Sequence, residues 1–357
     1  MIILPLLALL PVAPPVIVTP GGDIETAVLS FRAGPARCRG GEEALLLNEP
    51  PLPQVTGWNQ GMPAPSPVRL RFRIDSSGRP LGIVEEPRET FSGPYYDSGD
   101  VAAAFAASRF AAGRERLDCT LAYDVTVEPA AAADRATLYR LVALQPRPGG
   151  PAGALIFDRT KPPGSNCFDD PRLNVRLRAY PAFEEIPQAP GTLSYSFLGF
   201  DLDSAGRPKN VRLLGSAGNA ELDRQSLDAV RRSRFSPIAR RGCTYTYWRR
   251  QTEPLQAPES PSPDSYRNDT ASCPKEDAPW ARMPPLSFPH EFERRGIEGW
   301  AILTFDVAPW GGIGNVRVLA AEPAQLFGQQ AAQIVSGARK PPSEQGYTGC
   351  VTRVLFR

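Results

Sequence analysis

Phe200-Asp-Leu-Asp-Ser-Ala-Gly206-Arg-Pro-Lys-Asn-Val-Arg-Leu-Leu214 lies over Phe305-Asp-Val-Ala-Pro-Trp-Gly311-Gly-Ile-Gly-Asn-Val-Arg-Val-Leu319 without a gap. The two stretches share the Phe, Asp, Gly, Asn, Val and Arg and the final Leu. A third copy, Phe72-Arg-Ile-Asp-Ser-Ser-Gly78-Arg-Pro80, precedes them. Each reads as strand, tight turn, strand: a period-2 run such as Val68–Ile74 supplies the strand face, and the glycine supplies a positive φ. A helical segment follows each hairpin, over Asp100–Phe110, from Asn219 as cap to Val230, and over Gln325–Ala338. A last strand closes each copy at Leu121–Val127, Thr244–Arg250 and Val351–Arg357. The expected fold class is therefore α+β, as three tandem small two-layer ββαβ domains.

The cysteines keep step with the repeat. Cys38, Cys167 and Cys273 precede the turn glycines by 40, 39 and 38 positions, and Cys119, Cys243 and Cys350 follow them by 41, 37 and 39. Six cysteines allow 15 pairings. Threefold repetition predicts Cys38–Cys119, Cys167–Cys243 and Cys273–Cys350, one bond per unit. No CxxC spacing suggests zinc or redox chemistry. Disulfides imply an oxidising compartment. The proline-interrupted apolar start at residues 1–22 agrees, since it reads as a signal-peptide-like segment and not as a stable membrane span. The expected organisation is repeat 1 at 23–129, a linker at 130–153, repeat 2 at 154–250, a Pro/Ser-rich linker at 251–269 and repeat 3 at 270–357. Within the first linker, Thr137–Leu144 is expected to add a strand.

Composition removes several function classes. Lys+Arg 40 against Asp+Glu 38 leaves +2, which gives no electrostatic case for nucleic acid. A single histidine, His290, excludes His-cluster metal sites and lacks the second histidine of a zincin helix. Asp201-Leu-Asp203 opens like a calcium loop, but Arg212 stands where a bidentate Glu is required, so a hairpin turn is expected. The acidic pairs Glu85-Glu86, Asp169-Asp170 and Glu184-Glu185 are sequence neighbours that point to opposite faces of an extended chain. Tyr245, Tyr247 and Trp248 beside Arg249 and Arg250 read as a half-buried strand. No enzyme, cofactor or metal is expected.

Gly215-Ser-Ala-Gly218, Glu221-Leu-Asp223 and Ser226-Leu-Asp-Ala-Val230-Arg-Arg-Ser-Arg-Phe235-Ser-Pro237 together resemble the signature of the TonB C-terminal domain family. Phe288-Pro-His-Glu-Phe-Glu-Arg-Arg-Gly296-Ile-Glu-Gly299 is similar to that family's opening motif. The resemblance implies a periplasmic, non-enzymatic protein that pairs its last strand with an extended peptide or envelope protein. An outer-membrane receptor in TonB-dependent transport is the partner class it implies; a structural cell-envelope component is the alternative. Applied to this chain, the binding strand is Val351, Thr352, Arg353, Val354, Leu355 and Phe356, which ends the sequence, so nothing downstream is expected to cover it. Arg353 and Arg357 would favour an acidic partner segment.

Overall fold

Val68–Ile74 forms a strand whose odd turns of the backbone bury Val68, Leu70, Phe72 and Ile74 while Arg69 and Arg71 face outward, the alternation that a half-buried sheet imposes. The computed structural model describes residues 24–47, 49–59, 64–88, 96–145, 149–249, 251–274 and 279–357; the signal-like segment 1–22 lies outside them. The main strands are β1 (Glu25–Ala33), β2 (Gln54–Trp58), β3 (Val68–Ile74), β4 (Pro80–Glu85), β5 (Arg116–Pro129), β6 (Ser194–Leu202), β7 (Pro208–Ser216), β8 (Arg240–Arg249), β9 (Gly299–Val307), β10 (Ile313–Glu322) and β11 (Tyr347–Phe356). The helices are α1 (Gly99–Ala107), α2 (Arg135–Leu144), α3 (Gly150–Thr160), α4 (Ala220–Arg232), α5 (His290–Arg294) and α6 (Gln325–Ser336). The chain is thus mixed α and β, built from small antiparallel sheets.

The second and third units carry three-stranded sheets in the orders β7-β6-β8 and β10-β9-β11, so the first strand of each is central and the last lies at an edge. Helices α4 and α6 pack on one face of these sheets. The first unit differs: β5 pairs with β3 on one side and β1 on the other, and β2 extends the sheet beyond β1. Its closing strand is therefore internal.

The residues common to the copies have local reasons. Gly78, Gly206 and Gly311 have φ of 85°, 73° and 83°. A Cβ there would meet the carbonyl oxygens of Phe110, Phe235 and Lys340 at 2.1, 2.3 and 2.0 Å. Glycine is required twice over, by φ and by the close approach of the chain leaving the helix. The shared Asp and Asn form a clamp across the hairpin bulge. Asp201 accepts from Asn210 Nδ2 (2.8 Å) and Gly242 N (2.8 Å); Asp306 accepts from Asn315 Nδ2 (2.7 Å) and Gly349 N (2.9 Å). The two asparagines hold φ of 51° and 50°, a region this residue type tolerates better than most. Asp201→Ala or Asp306→Ala is expected to cost roughly 1–2 kcal/mol in denaturant unfolding, because two donors lose their acceptor.

Disulfides join Cys38 to Cys119, Cys167 to Cys243 and Cys273 to Cys350, the pairs that the repeat demands. Segment 130–153 is more structured than a linker. Thr137–Leu144, expected as a strand, belongs to helix α2: Asp134 caps it by accepting from Ala136 N and Thr137 N, and Leu138, Tyr139 and Leu141 bury one face. Tyr139 stacks on Phe197 of β6 at 4.4 Å, so α2 covers the sheet face opposite α4. Helix α3 follows and pairs with α2 around Leu138, Leu141 and Ile156.

The first and third units share one hydrophobic core, running from Leu70, Phe72 and Phe105 to Phe292, Phe305 and Phe327. The second unit has its own around Leu198, Phe200, Val230 and Phe235. Polar contacts reinforce the first junction: Ile83 N donates to Pro323 O (2.9 Å), and Glu322 accepts from Arg73 (2.8 Å) and Gly82 N (2.6 Å). At its centre lies Arg295, 0% exposed. Its guanidinium grips Asp100 through Nε (3.0 Å) and Nη2 (2.8 Å), reaches Glu49 (3.1 Å), and touches Gly191 O (3.5 Å) on the lead-in to the second unit. Burial opposes the charge on Arg295, but Asp100 and Glu49 outweigh it and hold the guanidinium above its ordinary pKa.

Candidate functional site

Strand β11 is fixed on one side by β9, with Gly299 opposite Phe356 and Ile302 opposite Arg353. Its two faces differ. Cys350 and Phe356 are buried, and Phe356 packs on Phe288 (5.5 Å) and Phe327 (5.2 Å) beneath α6. Val354 packs against the same core from a partly buried position. Thr352, Val354 and Phe356 therefore share the helix side, and Val351, Arg353, Leu355 and Arg357 the other.

That other face is not bare. Leu255 bridges Ile297 through Leu255 N to Gly296 O (2.8 Å) and Glu298 N to Leu255 O (3.0 Å), which starts segment 256–266 along the third unit. Trp300 Nε1 donates to Pro258 O (2.8 Å), and Arg353 Nη1 lies 3.4 Å from Ser260 Oγ and 3.5 Å from Pro261 O. Between segment and sheet runs a groove of about 520 Å³ lined by Glu298, Trp300, Arg353, Leu355 and Arg357. The linker is thus held at the sheet face by side chains. Among the described residues its main chain makes no hydrogen bond to that of Val351–Phe356; at the start of the strand Thr348 O accepts from Ser272 N (3.1 Å), and the turn Pro263–Tyr266 packs beside β11. Leu255, Pro258 and Ser260 carried no signal in the sequence, and Trp300 directly follows the opening motif that ends at Gly299.

Strand β8 occupies the same place in the second unit. Its main chain is bonded to β6, and at its start Arg241 O accepts from Asn166 N (3.1 Å). The aromatic strand expected there is half-buried as read: Tyr247 is buried and donates to Ala179 O (2.7 Å), while Trp248 is 46% exposed. Burial pushes the Tyr247 phenol up to about 12, with Tyr245 beside it adding to the shift. Thr246 and Trp248 border a cleft of about 1130 Å³ closed on its far side by His290, Glu293 and Arg294.

Asp203 accepts from Ala205 N (3.0 Å) and Arg207 N (2.9 Å), closing a hairpin turn. His290 is exposed beside Glu291 at 3.0 Å. Among the described residues no three His, Cys, Asp or Glu side chains group as a metal site, and no helix is long and apolar enough to cross a membrane.

A family model described as the C-terminal part of the Gram-negative bacterial TonB protein matches residues 180–252 and again 284–356. Protein TonB of Escherichia coli (strain K12) is 33% identical over 70 residues, which is 20% of this chain and 29% of that protein. The chain therefore spans less than a third of that relative's length. Both matches contain a complete three-stranded sheet with its helix; the first unit lies outside them.

Proposed function

We propose, from the premise that the second and third units belong to the TonB C-terminal family, that this chain is a non-enzymatic envelope protein that binds an extended partner segment by strand addition. The observation that carries this is the edge of β11, paired with β9 and, from Val351 to Phe356, without a main-chain hydrogen bond on its other side among the described residues. An uncovered edge presents N–H and C=O groups that an extended peptide satisfies, and alternate side chains then choose the sequence. Arg353 and Arg357 favour an acidic segment. Three disulfides support an oxidising compartment, which the family reading makes the periplasm. The partner is an extended peptide or envelope protein, with an outer-membrane receptor as the class that the family suggests. The division into units 23–129, 154–250 and 270–357 belongs to the same reading.

Peptides selected from a displayed library on the folded chain test it. They are expected to be acidic, to slow amide exchange at Val351–Phe356, and to lose binding to Val354→Pro. Unchanged binding by a folded Val354→Pro variant rules this edge out. A structural envelope role without transport is the second reading, and the shared core of the first and third units favours it, since that core packs the two units together. Failure to select any peptide that protects the edge would support that role.

A further inference from the structure

The repeat supplies an internal comparison. In the third unit the indole of Trp280 lies on Phe305, ring centroids 5.5 Å apart, and beneath Lys340, whose Nζ is 4.1 Å from the ring. Phe305 corresponds to Phe200, and Lys340 to Phe235, because Lys340 N and Phe235 N each bond the carbonyl of their turn glycine at 3.0 Å. The residue paired with Phe235 in the second unit is Val175, 39% exposed. Valine stands where the third unit has tryptophan. The space is not refilled: a cavity of about 410 Å³ opens there, floored by Phe200, Phe235 and Val230 and walled by Tyr245, Tyr247 and the Cys167–Cys243 bond. That volume suits a small ligand, and the lining is chiefly apolar and aromatic. Its rim is cationic. Arg172 and Arg178 both line it, and among the described residues neither has a carboxylate within 4 Å. Arg178 is steadied over the Tyr245 ring at 4.6 Å, with Nη1 donating to Tyr245 Oη (2.8 Å), and the residue is exposed.

We propose that the second unit binds a small free aromatic anion, of indole size, in this cavity, with the ring on Phe200 and Phe235 and the acidic group at Arg172 and Arg178. The site is separate from the strand edge and stands whether or not a peptide adds there. The ring takes the place that Trp280 fills in the third unit. A carboxylate suits the planar fork of arginine donors.

Calorimetric titration of the full chain with indole-3-acetate, indole and acetate tests this. Indole-3-acetate is expected to saturate one site, indole to bind more weakly, and acetate not at all. Val175→Trp, which fills the cavity from within the chain, is expected to weaken indole-3-acetate at least about tenfold while raising the stability of the unit. The double variant Arg172→Gln, Arg178→Gln alters exposed side chains and keeps the question answerable should Val175→Trp misfold. It is expected to weaken indole-3-acetate at least about fivefold and to leave indole unchanged. Absence of saturation up to roughly 10 mM, wild-type affinity in Val175→Trp, or wild-type affinity for indole-3-acetate in the double arginine variant would each overturn the proposal.

Discussion

Arg295→Ala is expected to lower the stability of the body formed by the first and third units by about 3–5 kcal/mol. The side chain is fully buried, and it is the cation that faces Asp100, itself 2% exposed, in the first turn of α1. Truncation leaves the Asp100 side chain without its cation in a buried junction, with Leu52 N the donor that remains to it among the described residues, and strips Glu49 of its buried partner. Removing one half of a buried pair is costly for that reason, whereas removing both halves need not be. Arg295→Lys keeps the charge but loses the two-pronged grip on Asp100, and should fall between wild type and Arg295→Ala. Hydrogen exchange resolved by segment is the measurement. Protection should drop together in β3, α1, β9 and α6 while β6, β8 and α4 hold theirs. Loss restricted to the third unit would show that the common core does not unfold as one.

The sequence carries the parts of this body but not its assembly. Repetition makes the hairpins, the turn glycines and the cysteine pairs readable, because each obeys a local rule three times over. Arg295 obeys no such rule. It sits in Glu291-Phe-Glu-Arg-Arg-Gly296 of the opening motif, where nothing local tells a buried arginine from an exposed one, and its partners Asp100 and Glu49 lie 195 and 246 residues away. Helix α2 was hidden for a different reason: its segment is rich in alanine and flanked by proline and glycine, which reads as linker until Asp134 is seen to cap it and Tyr139 to stack on Phe197. Strand β11 was legible as a strand ending a unit. What covers its face was not, because Leu255, Pro258 and Ser260 occupy a Pro/Ser-rich stretch with no periodicity, and the contacts that hold it come from distant residues: Arg79, Gly296, Glu298, Trp300 and Arg353.

The shared core also separates the three disulfides, which the repeat alone would treat as equivalent. Each closes a loop of similar length, with sequence separations of 81, 76 and 77, so the chain-entropy model assigns each about 4.5 kcal/mol. Where that loss is felt depends on what surrounds the bond. Cys167 and Cys243 lie in the core of the second unit, with Phe200 and Phe235. Replacing both by alanine is expected to lower exchange protection in β6, β8 and α4 and to leave the rest of the chain near its wild-type level. Cys38, Cys119 and Cys350 all lie in the core common to the first and third units, and Cys273 packs against it. Removing either of those bonds should therefore lower protection in both units at once, since a cooperative core transmits the loss to every element that it holds. The same coupling predicts that Arg295→Ala combined with Cys38→Ala and Cys119→Ala will depart from additivity, whereas Arg295→Ala combined with Cys167→Ala and Cys243→Ala will sum. Additive behaviour in both combinations would mean that the first and third units touch without folding together, and that the buried ion pair fastens two bodies that are each stable alone.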